Sequence, residues 1–291
     1  MEPIKFSIIT CVYNLEDFVS RAIESVLNQD FKNFELVLVN DCSTDGTLSV
    51  LKKYSLSHPN IVIIDNEKNM GLGASRNIAI KKCKGEYLLF LDGDDYLYSN
   101  DTLSKINNII SKSTPDIAYF GMQYVGGSNK AYLSSKENST KKARITCDIN
   151  FGVTSKCWKR QFLLDNNIEF VPHLYYEDMV FSLNAVIKAN SLDCGNFPIY
   201  NYVRNREGSI MSTPNVKRCS DMYRMLAYVM DLYPETPDEY KPYLLSFIKN
   251  ETLSLPGKIS IILKSLKENK MNPVFDKRDF KFDENDSDIN I

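Results

Sequence analysis

Histidine and tryptophan are scarce in this chain, and the sequence signals of several protein classes are missing. The 291 residues include two histidines, one tryptophan and seven cysteines, and no two cysteines stand in a CxxC pair. The shortage of closely spaced imidazole and thiol ligands argues against a zinc site. An odd number of scattered cysteines is instead typical of reduced thiols in a cytosolic protein.

Long apolar runs and an excess of one charge are also absent from the sequence. No apolar run approaches the ~20 residues that span a bilayer. The apolar stretch near the N-terminus is too short, and its start too acidic, for a signal peptide. The net charge of -2 gives no general attraction to nucleic acid or anionic lipid. We therefore expect a cytoplasmic protein without a nucleic-acid partner; peripheral contact with the inner face of the cell membrane stays open.

Four short apolar runs that alternate with helical periodicity indicate an α/β fold. The runs are Lys5–Val12, Phe34–Val39, Asn60–Ile64 and Tyr87–Leu91. This alternation predicts a doubly wound, mostly parallel sheet flanked by helices. Right-handed crossovers would bring the carboxyl ends of all four strands to one edge, which is where open α/β sheets bind their ligands.

The second half of the sequence is less regular. A further strand is expected at Ile117–Gln123. The polar stretch Val125–Arg144 predicts a mobile loop, and a plain surface loop is favoured over a lid or an acceptor-binding loop. Helical periodicity follows in Phe151–Leu164 and in Tyr175–Ala189, and a short strand is expected at Pro198–Val203. Beyond it the pattern is again helical.

The segment EYLLFLDGDD, residues Glu86–Asp95, carries the densest chemistry in the chain. Its apolar run predicts a buried strand that ends directly at Asp92, Asp94 and Asp95. Three neighbouring carboxylates repel one another unless a cation or solvent compensates, and such a cluster suits a hard divalent metal. Aspartate and glycine are also ordinary turn residues, so a metal site and a polar turn are both open for the segment alone.

Six motifs in order make the sequence recognisable. They are SIITCVYNLEDFVSRAIESVLNQ, LVLVNDCSTDGT, NMGLGASRNIAI, FLDGDD, LYYEDMVFS and NYVRNREGSI. In order and spacing they resemble the catalytic domain of glycosyltransferase family 2, over about residues 4–210. The resemblance implies the Rossmann-like GT-A fold, a nucleotide-sugar donor and an inverting reaction. Bacterial members of this length commonly build capsule, lipooligosaccharide or other surface glycans.

The resemblance also implies a division of the chain. Residues 1–210 would form the GT-A catalytic domain, with a nucleotide-binding half to about residue 120 and an acceptor-side half over 121–210. Residues 211–275 would be a helical C-terminal extension. The strongly acidic tail, 276–291, is expected to be disordered.

Donor-binding residues follow from the same motifs. The resemblance makes Tyr13 a stacking surface for the base and Asp41 the acceptor of the imide N–H, a position that suits uracil better than guanine. Arg76 would neutralise the diphosphate or hydrogen-bond the base, and Arg206 and Ser209 would close over the diphosphate as a lid. Without the other motifs, each of these side chains could equally occupy an ordinary turn, loop or helix surface.

Metal and catalytic roles are implied for the acidic residues. Asp92 and Asp94 match the DxD motif of the family, so Asp94 would bind Mn²⁺ or Mg²⁺, with Asp92 near the ribose or metal and Asp95 as an accessory ligand. Asp178 matches the general base that takes the proton of the acceptor hydroxyl. Glu177 would orient the site or cap the following helix. The implied reaction transfers a hexose or N-acetylhexosamine from a UDP-sugar to a glycan or lipid-linked glycan acceptor.

Three other functions fit these residues less well. A nucleotidyltransferase ordinarily has a Gly-rich phosphate loop after the first strand, and CVYNLED contains none. A haloacid-type phosphatase expects its nucleophilic aspartate after the first strand rather than the fourth. A non-catalytic, glycosyltransferase-like partner subunit is disfavoured by the joint presence of Asp94 and Asp178.

Two features stay open on the sequence alone. Trp158 could stack on a sugar ring or lie in the core. The basic amphipathic stretch Lys258–Lys270 could rest on an anionic membrane, or pack on the domain or on a partner subunit, so a homodimer is one of the alternatives.

Overall fold

The computed structural model describes residues 3–126, 131–133, 140, 141, 145, 152–204 and 217–253. Arg206, Ser209, the stretch Lys258–Lys270 and the acidic tail lie outside these residues, so the roles expected of them stay predictions. The same holds for the proposed domain boundaries near residues 210 and 275. Among the described residues, the five cysteines at positions 11, 42, 83, 157 and 194 are free.

The first part of the chain forms four parallel strands separated by helices. In chain order the elements are β1 (Phe6–Val12), α1 (Val19–Leu27), β2 (Phe34–Asn40), α2 (Thr47–Ser57), β3 (Ile61–Asp65), α3 (Leu72–Lys82) and β4 (Tyr87–Phe90). Strand β1 pairs in parallel with both β2 and β4, and β2 pairs in parallel with β3. Nearly every residue of β1, β2 and β4 is buried, as expected where helices cover both faces of a parallel sheet.

The second part extends the sheet with strands of both directions. The elements are β5 (Tyr96–Leu97), α4 (Thr102–Ser113), β6 (Ile117–Val125), β7 (Ala131–Tyr132), β8 (Lys156–Lys159), α5 (Arg160–Asp165), α6 (Glu177–Lys188), β9 (Leu192–Val203) and α7 (Lys217–Asp231). The strand order is β3-β2-β1-β4-β8-β6-β9-β5, and β7 pairs with β6. The predicted α/β class is confirmed, but the sheet is mixed, because β8 is antiparallel to both β4 and β6 while β6 and β9 are parallel.

One secondary-structure prediction in this half was right for only part of its range. The helical periodicity within Phe151–Leu164 corresponds to a helix that begins at Arg160, whereas residues Lys156–Lys159 form β8 between β4 and β6. A four-residue buried strand contributes too short a pattern to be distinguished from helix by periodicity. Its pairing with two distant strands decides its conformation.

The C-terminal extension is helical where it is described. Helix α7 is followed by a second helical stretch over residues 241–253, and Pro234 and Pro237 lie between them, where they interrupt helical hydrogen bonding. Within the described part of the chain, no helix has the length and apolarity needed to cross a bilayer.

Trp158 lies in the hydrophobic core, on strand β8 opposite Leu88 and Ile117. Its side chain is fully buried, its indole Nε1–H donates to the carbonyl oxygen of Val153 at 3.1 Å, and its ring meets that of Phe181 edge-on at 5.1 Å. Phe181 in turn stacks on Phe170 with a centroid distance of 4.0 Å. Trp158 is therefore a core residue, the second of the two alternatives that the sequence left open. Together with Phe170 and Phe181 it forms a buried aromatic cluster.

Replacement of Trp158 by alanine should lower the free energy of unfolding by about 4 kcal/mol, since it leaves a large cavity and removes an internal hydrogen bond. Urea unfolding followed by far-ultraviolet circular dichroism measures the change. Leu56→Ala is the control, because Leu56 is 89% exposed and should shift stability by less than about 0.5 kcal/mol. Equal effects of the two substitutions would contradict the packing described here.

Candidate active site

The loops after β1 and β2 are tied to each other at the sheet's carboxyl edge. Asn14 Oδ1 accepts the Thr44 N–H at 2.8 Å, and the Leu15 N–H donates to Thr47 Oγ1 at 2.8 Å. Tyr13 directly follows β1 and is 47% exposed. These bonds fix the loop backbone while leaving an aromatic side chain at the surface.

Asp41 follows β2 and organises the turn before α3. The carboxylate is buried, and it accepts three hydrogen bonds of 2.8 Å, from Asn66 Nδ2, Met70 N and Gly71 N. Gly71 has a φ of +79°, a conformation that glycine adopts without steric penalty. A carboxylate has roughly four acceptor positions, so Asp41 retains capacity for one further donor.

Arg76 is buried in helix α3 and joins three parts of the chain. Its Nη2 donates to Asp92 Oδ1 and its Nη1 to Glu177 Oε1, both at 2.9 Å. The guanidinium carbon also lies 5.7 Å from the centroid of the Phe90 ring and 5.2 Å from that of Phe170. The sequence suggested a nucleotide contact for Arg76 and gave no sign of this pairing, since Glu177 is 101 residues away.

Helix α3 is fitted closely to the segment that leads into α6. Asn77 and the backbone of Phe170 exchange two hydrogen bonds of 2.8 Å. A Cβ on Gly73 would lie 2.9 Å from the carbonyl oxygen of Val171 and 3.3 Å from Glu177 Cγ, so only glycine leaves room for this approach. The contacts hold the start of α6 in place against Arg76.

The turn after β4 is held from two sides. A Cβ on Gly93 would lie 2.7 Å from a methyl carbon of Val12 and 2.8 Å from one of Leu15, which explains a glycine between the acids. On the other side, Arg21 Nη2 donates to the Asp94 carbonyl oxygen at 2.6 Å. Arg21 was not expected at the site, because an arginine on an amphipathic helix gives no signal of its own.

Asp95 ties this turn to β9. It is 2% exposed, Oδ1 accepts the Val203 N–H at 2.7 Å, and Oδ2 accepts the Tyr200 hydroxyl at 2.6 Å. Burial, with the nearby charge of Asp92, raises the pKa of Asp95 to about 8 despite these bonds. Both oxygens are thus engaged within the protein, whereas Asp92 and Asp94 are only partly buried.

Asp178 lies one residue into α6, beside Glu177. Both acids stand in the first turn of the helix, where negative charge is stabilised by the helix dipole. Tyr176, immediately before them, has a left-handed backbone with φ 68°, so the chain turns sharply as it enters the helix. Asp178 is partly buried, and its charge acts on both Arg76 and Asp92.

Helix α7 braces the loop that precedes Asp178. Asp221 is 1% exposed, accepts the Tyr175 N–H at 2.9 Å and pairs with Arg224 at 2.9 Å and with Lys217. Lys217 also donates to the carbonyl oxygen of His173 at 2.7 Å. The C-terminal extension is therefore part of the framework of the site, a role that its sequence did not reveal.

Among the described residues, negative charge exceeds positive charge around Arg76. Burial, together with repulsion from Asp178, raises the pKa of Glu177 to about 7 against the opposing effect of Arg76. Burial also raises the pKa of Asp92, in spite of Arg76 and with repulsion from Asp94 and Asp178. The single positive charge of Arg76 does not neutralise all of these carboxylates. The site without a ligand therefore favours a protonated carboxyl group or a bound cation.

The metal ligands expected from the sequence are only partly brought together. Among the described residues, no three side chains of histidine, cysteine, aspartate or glutamate form a group that could hold a metal ion. The carboxylates that could bind such an ion are those of Asp92 and Asp94. Mg²⁺ commonly binds through one or two carboxylates, with the other oxygens supplied by substrate phosphates and water, so this pair fits such an ion without completing its shell.

Comparison with known proteins identifies the class. The sequence model of Glycosyl transferase family 2 matches residues 7–167, more than half of the chain. The chain therefore belongs to glycosyl transferase family 2. Its structure aligns with the crystal structure of Staphylococcus aureus TarS 1–349 in complex with UDP-GlcNAc, with a TM-score of 0.69 at 25% identity, over 89% of this chain and 83% of that one. The GT-A fold expected from the motifs is confirmed.

Curated relatives are longer proteins with named glycosyltransferase activities. The Bacillus spizizenii poly(ribitol-phosphate) beta-glucosyltransferase is 35% identical over 73% of this chain and 34% of its own length. The Staphylococcus aureus poly(ribitol-phosphate) beta-N-acetylglucosaminyltransferase TarS is 32% identical over 86% of this chain and 44% of its own length. The chain thus spans less than half the length of these two relatives.

Arg76→Met should lower the free energy of unfolding by about 3 kcal/mol, because it leaves the buried Glu177 and the partly buried Asp92 without their cation. Lys81→Met on the same helix is the matched control: its ion pair with Glu169 is more than half exposed on both sides and should matter by less than about 0.5 kcal/mol. In a double-mutant cycle, Arg76→Met and Glu177→Gln should be clearly non-additive. Additive effects in urea unfolding would refute the proposed coupling.

Stability should depend on the protonation of Glu177. Because its pKa is raised from 4.5 to about 7, the folded protein keeps a proton that the unfolded chain has lost between these values. This contribution is complete below about pH 4.5 and disappears as the pH rises through about 7. The unfolding free energy of the metal-free protein should therefore fall between about pH 5 and 7, and Glu177→Gln should flatten that slope. Parallel pH profiles for the two proteins would contradict the assignment.

Proposed function

We propose that the protein is an inverting glycosyltransferase that moves a sugar from a UDP-sugar to a hydroxyl of a polyol-phosphate or related surface-glycan acceptor. The observation that carries the proposal is the convergence on Arg76 of two acidic segments from different parts of the chain. Asp92 and Asp94 follow the fourth parallel strand, and Asp178 is the second residue of helix α6, directly after Glu177, which binds Arg76. The segment with Asp92 and Asp94 would serve the leaving group, and the segment with Asp178 would serve the nucleophile.

The donor would bind across the carboxyl ends of β1 and β2. Tyr13 offers an exposed aromatic face on which a base can stack. Asp41, already held by three donors, has an acceptor position left for the imide N–H of uracil. The UDP-GlcNAc bound to TarS supports a UDP-sugar for this chain. Arg206 and Ser209 would complete the diphosphate site, as the sequence predicts.

Mn²⁺ or Mg²⁺ would be held by Asp94, with Asp92 beside it. When bound, such an ion offsets the charge that develops on the departing diphosphate. The excess of carboxylates near Arg76 favours a cation at this place. Asp95 receives a different role from the accessory ligand first expected, because both of its oxygens bind β9. We propose that Asp95 sets the position of the turn that carries Asp92 and Asp94.

Asp178 would act as the general base. In an inverting displacement the acceptor hydroxyl attacks the anomeric carbon in line with the leaving diphosphate, and its proton passes to a nearby carboxylate. Asp178 is partly exposed, whereas Glu177 is buried and paired with Arg76. Glu177 thus has the orienting role and Asp178 is left accessible to the acceptor.

The relatives favour one acceptor class. Both curated relatives are named for poly(ribitol-phosphate), with glucose and N-acetylglucosamine as the respective sugars. We therefore propose a polyol-phosphate polymer as the acceptor, in preference to the capsule or lipooligosaccharide glycans anticipated from the sequence. A hexose or N-acetylhexosamine remains the proposed transferred group.

Asp178→Asn should reduce transfer by about 10²- to 10⁴-fold, since it removes the base and keeps the shape of the side chain. UDP binding, measured by calorimetry, and the melting temperature should stay close to those of the wild type. Donor use is first established by release of nucleotide from UDP-, GDP- and dTDP-sugars with Mn²⁺.

Asp231→Asn is the matched control, because Asp231 is an exposed aspartate at the end of α7. It should leave the rate unchanged. Wild-type turnover by Asp178→Asn would exclude Asp178 as the general base. Full activity after exhaustive chelation would exclude a metal ion from the mechanism.

A further inference from the structure

Three tyrosines form a continuous row at the carboxyl ends of β6 and β9. Tyr124 of β6 pairs in register with Tyr202 of β9. The Tyr124 ring lies 5.6 Å from that of Tyr202 and 5.0 Å from that of Tyr132 in β7, and both contacts are edge-on. We call Tyr202, Tyr124 and Tyr132 the tyrosine row. It crosses three neighbouring strands of the sheet.

The inner end of the row adjoins the acidic turn. Tyr200, two residues before Tyr202 on the same face of β9, donates its hydroxyl to Asp95 and accepts the Asp92 N–H at 3.2 Å. Val203, the residue after Tyr202, donates its N–H to Asp95 Oδ1 at 2.7 Å, so β9 is bonded to the turn directly beside Tyr202. The row therefore starts where the sugar would be transferred.

The outer end of the row is open to solvent. Tyr132 is 52% exposed and its neighbour Leu133 is 49% exposed. Strand β7 lies close over β6 at Gly121, where a Cβ would overlap the carbonyl oxygen of Tyr132. Glycine at this position lets β7 present an aromatic ring beside Tyr124 at the surface.

A cation is stacked on the middle of the row. The guanidinium carbon of Arg204 lies 3.8 Å from the centroid of the Tyr124 ring. Stacking uses the face of the guanidinium and leaves its N–H groups, which lie in the plane, directed outward. A stacked arginine is therefore a preorganised, bidentate donor for phosphate.

The row also lies on the side of the acidic turn opposite to the nucleotide. In the strand order, β2 and β1, which would carry the base, are on one side of β4, and β6 and β9 are on the other. A ligand on the row can thus reach the acidic turn without crossing the nucleotide site.

We propose that the tyrosine row and Arg204 form an acceptor subsite that binds a polyol-phosphate chain, with carbon-bound hydrogens against the rings and a phosphate on Arg204. This inference rests on the proposed function and specifies its acceptor side. Tyrosine suits the ligand because it combines an apolar face with a hydroxyl that can bond to polyol oxygens. The positive charge of Arg204 favours a ligand that carries phosphate over an uncharged glycan.

The test uses the complete chain, a UDP-sugar that it hydrolyses and a synthetic poly(ribitol phosphate) oligomer. Tyr132→Ala and Arg204→Met should each raise the KM for the oligomer about tenfold, and Tyr132→Phe, which keeps the ring but loses the hydroxyl, should raise it less. The Arg204 effect should shrink as salt is raised. Nucleotide release without acceptor, UDP affinity and melting temperature should not change. Tyr223→Ala, an equally exposed tyrosine on α7, should leave every value unchanged.

The possible failures can be told apart. An unchanged KM for the oligomer in both variants overturns the subsite, as does a wild-type protein that hydrolyses the donor but neither binds nor uses the oligomer. A loss in Tyr132→Ala that follows a lowered melting temperature and equally affects release of nucleotide without acceptor would assign the row a structural role instead. If the wild type binds no UDP and releases none from any sugar, the proposed function itself fails.

Discussion

The position of the buried Arg76 guanidinium between Asp92 and Glu177 determines how the site is built. Helix α3, the turn after β4 and the start of α6 are far apart in sequence, and this one cation pairs with carboxylates from two of them while belonging to the third. Beneath it the rings of Phe90 and Phe170 close the site from the core. A buried charge is tolerated only when it is paired, so the three elements must meet for the fold to be stable.

The same arrangement explains the electrostatic character of the site. Arg76 neutralises only part of the nearby negative charge, and burial raises the pKa values of Glu177, Asp92 and Asp95. The partly exposed acids Asp94 and Asp178 are the ones to which we assign the proposed metal-binding and general-base roles. The buried acids instead stabilise the framework by hydrogen bonds: Asp95 binds β9, and Asp221 binds the loop before α6. In the proposed mechanism, the more exposed carboxylates carry the chemistry and the more buried ones hold the surrounding backbone in place.

Periodicity and residue type predicted much of this from the sequence. The strands β1 to β4, the helices between them and the placement of Asp41 and Asp92 at strand ends follow from short apolar runs that break into polar turns. β8 could not be predicted in the same way, because its four residues become a strand only by pairing with β4 and β6. A local sequence pattern predicts local secondary structure, whereas the conformation of a short central strand depends on its pairing with neighbouring strands.

The sequence by itself determined the α/β class, the ordered motifs of the family and the acids that carry the proposed chemistry. Only the tertiary structure decided how deeply each acid is buried and which partners it has, since Asp92, Asp94 and Asp95 are alike in sequence but differ in burial and in the groups they contact. It also placed Arg21, Asp221 and the tyrosine row around the site. The physical reason is that burial, ion pairing and ring contacts depend on distances between residues remote in the chain, and no local pattern contains those distances.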